Sequence, residues 1–180
     1  MADSDTQTNT EEFEPAVEGE VAEPDFDHLA GIVTDGLIGA VGGLVGTAAM
    51  SIGLFVASSL GAFDMTSFGI LADLTGLAVI VPANAVAVGF LVFLGGGMLT
   101  WPLLFAATAA YLPGERFATK GLPYGFVLWT GFVLAFSQGI DGGILTLALY
   151  AVLTLVSHLA YGFSLGAVFD YLSDRPETLV

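Results

Sequence analysis

The chain has 180 residues, is 55% hydrophobic and only 12% charged, and has a mean hydropathy of +0.83, which excludes an ordinary soluble domain. Its 3 basic and 18 acidic side chains give a formal net charge of −15, and a pI near 4.1 excludes the basic face that nucleic-acid binding requires. With no cysteine, disulfides, iron–sulfur clusters and thiolate metal sites are excluded too.

Asp3, Asp5, Glu11, Glu12, Glu14, Glu18, Glu20, Glu23, Asp25 and Asp27 crowd the first thirty positions without a Lys or Arg among them. Such a segment buries too little apolar surface to offset its ordering entropy, so residues 1–33 are expected to form a disordered acidic tail. It has neither the basic and apolar regions of a secretory signal nor the arginines of an organellar presequence. The acidic excess continues along the chain, where only Arg116, Lys120 and Arg175 oppose it. That balance suits a protein working in concentrated salt, where repulsion is screened; a solvated acidic tail is the plainer alternative.

Four apolar stretches, about 36–63, 84–112, 122–140 and 144–172, are long enough to cross a bilayer as helix, which takes about 20 residues. Strand-like alternation is absent. The expected fold is therefore all-α, an integral membrane bundle of four transmembrane helices within 34–173, followed by a short cytoplasmic tail, 174–180. Residues 67–81 are short for a span, carry Asp73 and end at Pro82, so they read as an interfacial or re-entrant helix between the first two spans; a fifth span is the alternative. Arg116, Lys120 and Arg175 fall on one side of a four-span chain, which places both termini in the cytoplasm and the protein in the cell membrane.

Lipid tails are as apolar as leucine, so the helices must associate by close packing and hydrogen bonds. Gly39, Gly43 and Gly46, with Gly42 alongside, form a smooth face on the first helix. Gly121 and Gly125 open the third, and Gly162 and Gly166 repeat the spacing on the fourth. Pro102 removes a backbone donor inside the second helix, just after Gly95–Gly97, and predicts a kink there. YLPGER at 111–116 reads as a helix stop. A shift of sixty residues sets Tyr111-Leu112 on Tyr171-Leu172 and Met98 on His158, as a duplicated helix pair would.

His158 is the ionisable group in the last span. At 100° per residue it shares a face with Thr154, Tyr161, Gly162, Leu165 and Phe169, which turns it into the bundle. Three roles remain open: a polar peg bonded to Thr154 or a neighbouring helix, a ligand to haem or metal, or a group that handles protons or meets a partner's cofactor. The only other histidine, His28, lies in the tail, so the chain alone offers no bis-histidine haem site, and no resident cofactor or metal is expected. Asp64 and Asp141 are expected at the outer surface, where Ser137, Gln138 and Asp141 would line a polar vestibule. Asp170 and Asp174 belong at the inner one, with Asp170 near Arg175. Asp73, flanked by apolar residues, joins His158 and Tyr161 as a polar group at membrane depth. No nucleophile–base pair, phosphate loop or metal-ligand cluster is present, and no catalytic residue is assigned.

The segment HLAYGFSLGAVFDYL (158–172) resembles the closing helix of small four-helix membrane proteins of unknown function common in haloarchaea, and YLPGERFATKGLPYGFVLW (111–129) resembles their middle section. Some of those proteins are labelled as related to cytochrome oxidase subunits. The resemblance implies a small membrane protein of a halophilic archaeon, in a respiratory setting. This chain lacks the several helix-borne histidines of a catalytic haem–copper subunit, so oxidase catalysis does not transfer. The expected function is a non-catalytic accessory or assembly subunit of a membrane complex, with a small transporter or channel as the alternative. Expected partners are membrane lipid and either complex subunits or a second copy of the chain.

Overall fold

The computed structural model describes residues 26–81, 84–137, 140 and 143–173, with side chains from 31 to 172. The expectations for residues 1–25, Pro82, Gln138, Asp141, Asp174 and Arg175 lie outside the described residues. Every regular element among the described residues is helical. Helix α1 is Phe26–Ser59. A 3-10 turn, Met65–Phe68, leads into the short helices α2, Gly69–Leu74, and α3, Leu77–Ile80. Then α4, Ala85–Gly95, a π turn, Gly96–Thr100, and α5, Trp101–Thr108, run on as one long rod that ends in a 3-10 turn, Ala109–Tyr111. Helices α6, Phe117–Phe136, and α7, Ile144–Ser173, complete the chain.

Helix α1 starts inside the stretch expected to be tail, because Leu29, Ala30, Ile32 and Val33 extend the apolar run of the sequence. Three segments are long and apolar enough to cross a membrane: Gly31–Ser59, Ala85–Tyr111 and Ile144–Leu172. The expectation of four spans is met for three of them among the described residues. Helix α6 has 20 residues, but Lys120, Pro123, Tyr124 and its glycines lower its hydropathy. The segment 67–81 is broken into short helices, since Gly76 adopts φ 72° between α2 and α3, a conformation side-chain-bearing residues avoid.

Helix ends are closed by local bonds. Gly61, at φ 69°, lets the amide of Ala62 reach the Ala57 carbonyl at 2.8 Å and its own amide reach Ser58 at 2.9 Å, which stops α1 in a Schellman turn. At the other end of the bundle, both carboxylate oxygens of Asp170 on α7 accept from the first amides of α6, Phe117 at 2.8 Å and Ala118 at 2.9 Å. A cap normally supplied by the preceding residue thus comes from another helix.

Glycine sets the packing distances. A methyl group on Gly121 would fall on the Gly162 carbonyl oxygen, and one on Gly162 on that of Gly121. Gly125 abuts the His158 carbonyl, and Gly166 the backbone of Phe117. On α1, Gly42 and Gly46 meet Leu165 and Tyr161 of α7, while Gly43 meets Gly97 and Pro102. Gly89 of α4 likewise admits the Phe68 backbone, seating α2 and its preceding turn against α4. Rings fill both ends of this seam. Phe63, Phe68, Phe132, Phe136 and Tyr150 cluster at one end, with Phe132 and Phe136 stacked at 4.4 Å. Phe105, Tyr124 and Phe169 cluster at the other, with centroids 5.1 and 5.5 Å from Phe105. Outside, Ile52, Phe55, Leu103, Leu134, Val152 and Phe163 are exposed.

Gly162→Ala is expected to destabilise the fold by about 1–3 kcal/mol through overpacking. Gly131→Ala, where a methyl group meets open space, should be neutral or gain up to about 1 kcal/mol of helix propensity. Thermal unfolding of both variants in mild detergent checks this; equal shifts would contradict the seam.

Candidate functional site

The polar chemistry inside the bundle centres on a break in the α4–α5 rod. In the π turn the Trp101 amide bonds the carbonyl five residues back, Gly96. The Gly97 carbonyl thereby loses its α-helical donor, and the next candidate, position 102, is a proline with no N–H. Tyr161, from α7, fills the gap: its hydroxyl donates to the Gly97 oxygen at 2.8 Å in a fully buried setting. Tyr124, from α6, donates to the Trp101 oxygen at 2.6 Å. Two phenols on two helices therefore grip the rod at the two ends of the π turn, ahead of Pro102. Thr47 of α1 lies against Gly97, and its buried hydroxyl has no hydrogen-bond partner.

His158 is one turn from Tyr161, buried at 3% exposure. Its Nδ1 lies 2.7 Å from the Thr154 carbonyl; a carbonyl only accepts, so Nδ1 carries the proton and Nε2 presents the lone pair in the neutral ring. The imidazole packs on Phe132 of α6, centroids 4.7 Å apart. Thr154 donates its hydroxyl to the Tyr150 carbonyl at 2.6 Å and accepts from Trp129 Nε1 at 3.0 Å. Ser157 donates to the Leu153 carbonyl at 2.7 Å. This column joins α6 to α7 and places no second histidine or carboxylate beside His158. His28 lies in the first turn of α1, and no group of three or more His, Asp or Glu among the described residues is placed to hold a metal.

The remaining sequence candidates are dispersed. Asp73 is exposed on α2 and Ser137 is half-buried after α6. Asp64 is exposed and caps the turn Met65–Phe68 by accepting the Thr66 amide at 2.8 Å. That bond holds its carboxyl below the usual aspartate range. Beside it opens a cavity of about 480 Å³ between the ends of α1, α6 and α7. Reading the sequence missed Tyr124, Trp129, Thr47 and Tyr150. Their signal was available in outline, as phenol, indole and hydroxyl groups in otherwise apolar spans, each of which needs a partner.

A family model described as "Family of unknown function (DUF6789)" matches residues 33–180, and the chain belongs to that family. No curated protein and no solved structure matches the chain.

Tyr161→Phe is expected to cost about 1–3 kcal/mol, because it strands a buried carbonyl. Tyr124→Phe should cost less, since the Trp101 carbonyl lies at the head of α5 and has an in-helix donor four residues on. Pro102→Ala returns an amide near Gly97 and should recover part of the Tyr161→Phe loss. A double-mutant cycle of thermal unfolding reads this, and strict additivity would refute it.

Proposed function

We propose that this member of the family is a four-span protein of the cell membrane, with cytoplasmic termini, that serves as a non-catalytic accessory or assembly subunit of a membrane complex. The observation that carries the reading is the use of the polar side chains along α6 and α7. Tyr124, Trp129, Thr154, Ser157, His158 and Tyr161 all bond to carbonyls or to one another within the bundle. Tyr124, Trp129 and Tyr161 tie one helix to another, while Thr154, Ser157 and His158 bond back to carbonyls of α7 itself, and side chains held in this way serve packing rather than passage of a solute. The aromatic cluster of Phe63, Phe132 and Phe136 closes the bundle between the cavity and His158.

A fourth span at α6 is supported by the exposed Phe126, Val127 and Leu134, an apolar outer face like those of α1 and α7. Arg116 and Lys120 at its start support the cytoplasmic placement of that end. The net charge of −15 supports a setting of high ionic strength, as in a halophilic archaeon.

The test has two arms. Solubilised from its native membrane in mild detergent, the chain should migrate in a stoichiometric assembly larger than itself; migration as a lone chain would count against the reading. In proteoliposomes it should carry no proton or alkali-cation flux above empty vesicles. His158→Ala should lower the melting temperature without changing helix content, by about 1 kcal/mol for the lost bond. Flux that disappears in His158→Ala would put the transporter or channel reading in its place.

A further inference from the structure

The cavity beside Asp64 has no part in the helix-tying network and has the parts of a binding site. Its rim carries the Asp64 carboxylate with the hydroxyls of Ser58, Ser67 and Thr146, and its walls are Phe63, Phe136 and Ile140. At its inner end lies Tyr150, only 1% exposed, whose buried hydroxyl has no hydrogen-bond partner. A buried phenol without a partner is costly, and here it borders a space of about 480 Å³, within the size range of small-molecule pockets. Asp64 accepts from the Thr66 amide through Oδ1, and its carboxylate is exposed at the rim.

The charge of the site selects the ligand. No Lys, Arg or His lines the cavity, and the described basic residues, Arg116 and Lys120, lie at the opposite end of the bundle, at the start of α6. Among the described residues the cavity offers an anion one carboxylate and no positive charge. Among the same residues a metal ion would find one carboxylate where hard cations take six or more oxygens. An ammonium group suits the carboxylate and hydroxyls, and an apolar tail suits the phenylalanine walls.

We propose that this cavity binds an organic cation, an ammonium group joined to an apolar moiety, with Asp64 as counter-ion and Tyr150 as the inner hydrogen-bond partner. The site lies just beyond the Schellman turn that ends α1, at the membrane surface, so the same chemistry is available from a lipid headgroup or from a free amine. The proposal stands independently of the accessory-subunit reading.

The experiment is a calorimetric titration of the full chain in nanodiscs with 4-phenylbutylammonium and its neutral isostere 4-phenylbutan-1-ol, with empty discs subtracted. Discs of phosphatidylglycerol offer no ammonium headgroup, whereas discs of phosphatidylethanolamine do. Saturable binding of the ammonium compound is expected in phosphatidylglycerol. Asp64→Asn should weaken it about tenfold or more and leave the alcohol unaffected; asparagine still caps the turn, so the fold is kept. Tyr150→Phe should weaken both ligands about two- to tenfold. Binding in phosphatidylglycerol that is lost in phosphatidylethanolamine identifies the lipid headgroup as the natural occupant, and equal binding in both identifies a free amine. No saturable binding in phosphatidylglycerol, or unchanged affinity in Asp64→Asn, overturns the proposal.

Discussion

One carbonyl organises this molecule. In a hydrocarbon setting each backbone group must find its partner inside the protein. The sequence Gly-Gly-Met-Leu-Thr-Trp-Pro at 96–102 makes that impossible within its own helix. The π turn diverts one amide, the proline removes the next, and the Gly97 oxygen is left to a side chain from elsewhere. Because that side chain is Tyr161, the register of α7 against the α4–α5 rod is set by a hydrogen bond rather than by apolar contact alone. Apolar contact is a poor determinant of register between helices in lipid, since lipid competes for it on equal terms. The glycines then act as spacers around this fixed point: Gly43 admits the bulge and Pro102, Gly46 admits Tyr161, and Gly121 and Gly162 bring α6 against α7.

The two ends of the bundle differ in kind. The end at Pro113–Lys120 is closed by Phe105, Tyr124 and Phe169 and locked by the Asp170 carboxylate on the α6 amides. The end at Asp64 has an open cavity and a phenol without a partner. Thr47 Oγ1 beside Gly97 and Asp35 Oδ1 on α1 are also buried without a partner, so what sets the Asp64 end apart is that its unpartnered phenol borders an open cavity.

Much of the fold was legible in the residues. Runs of apolar residues with glycine at fourfold spacing gave the long helices and their small-residue faces, since hydropathy and side-chain size are local properties. The face of His158 was legible too: Thr154, Tyr161, Leu165 and Phe169 are all buried, as a rotation of 100° per residue requires. The kink at Pro102 could be foreseen, but its form as a π turn could not, because a proline states which donor is missing and not which neighbour compensates. The partner of Asp170 lies fifty-three positions away, where only three-dimensional packing brings the first turn of α6; a local reading looked to Arg175 nearby. Helix α6 was harder for a different reason. Its polar opening turns serve contacts with α7, which dilutes the very signal by which a span is recognised.

That dilution has a consequence for how the chain enters the bilayer. Helix α6 carries Lys120 and Pro123 in its opening turns, and its first amides are covered only once Asp170, near the end of α7, has been made. On the four-span arrangement, α6 leaving the ribosome therefore lacks the carboxylate that closes its start. On that arrangement the last two helices would enter as a hairpin, the later one completing the cap of the earlier. A chain truncated a few residues before Asp170 would leave the first amides of a finished α6 without that cap.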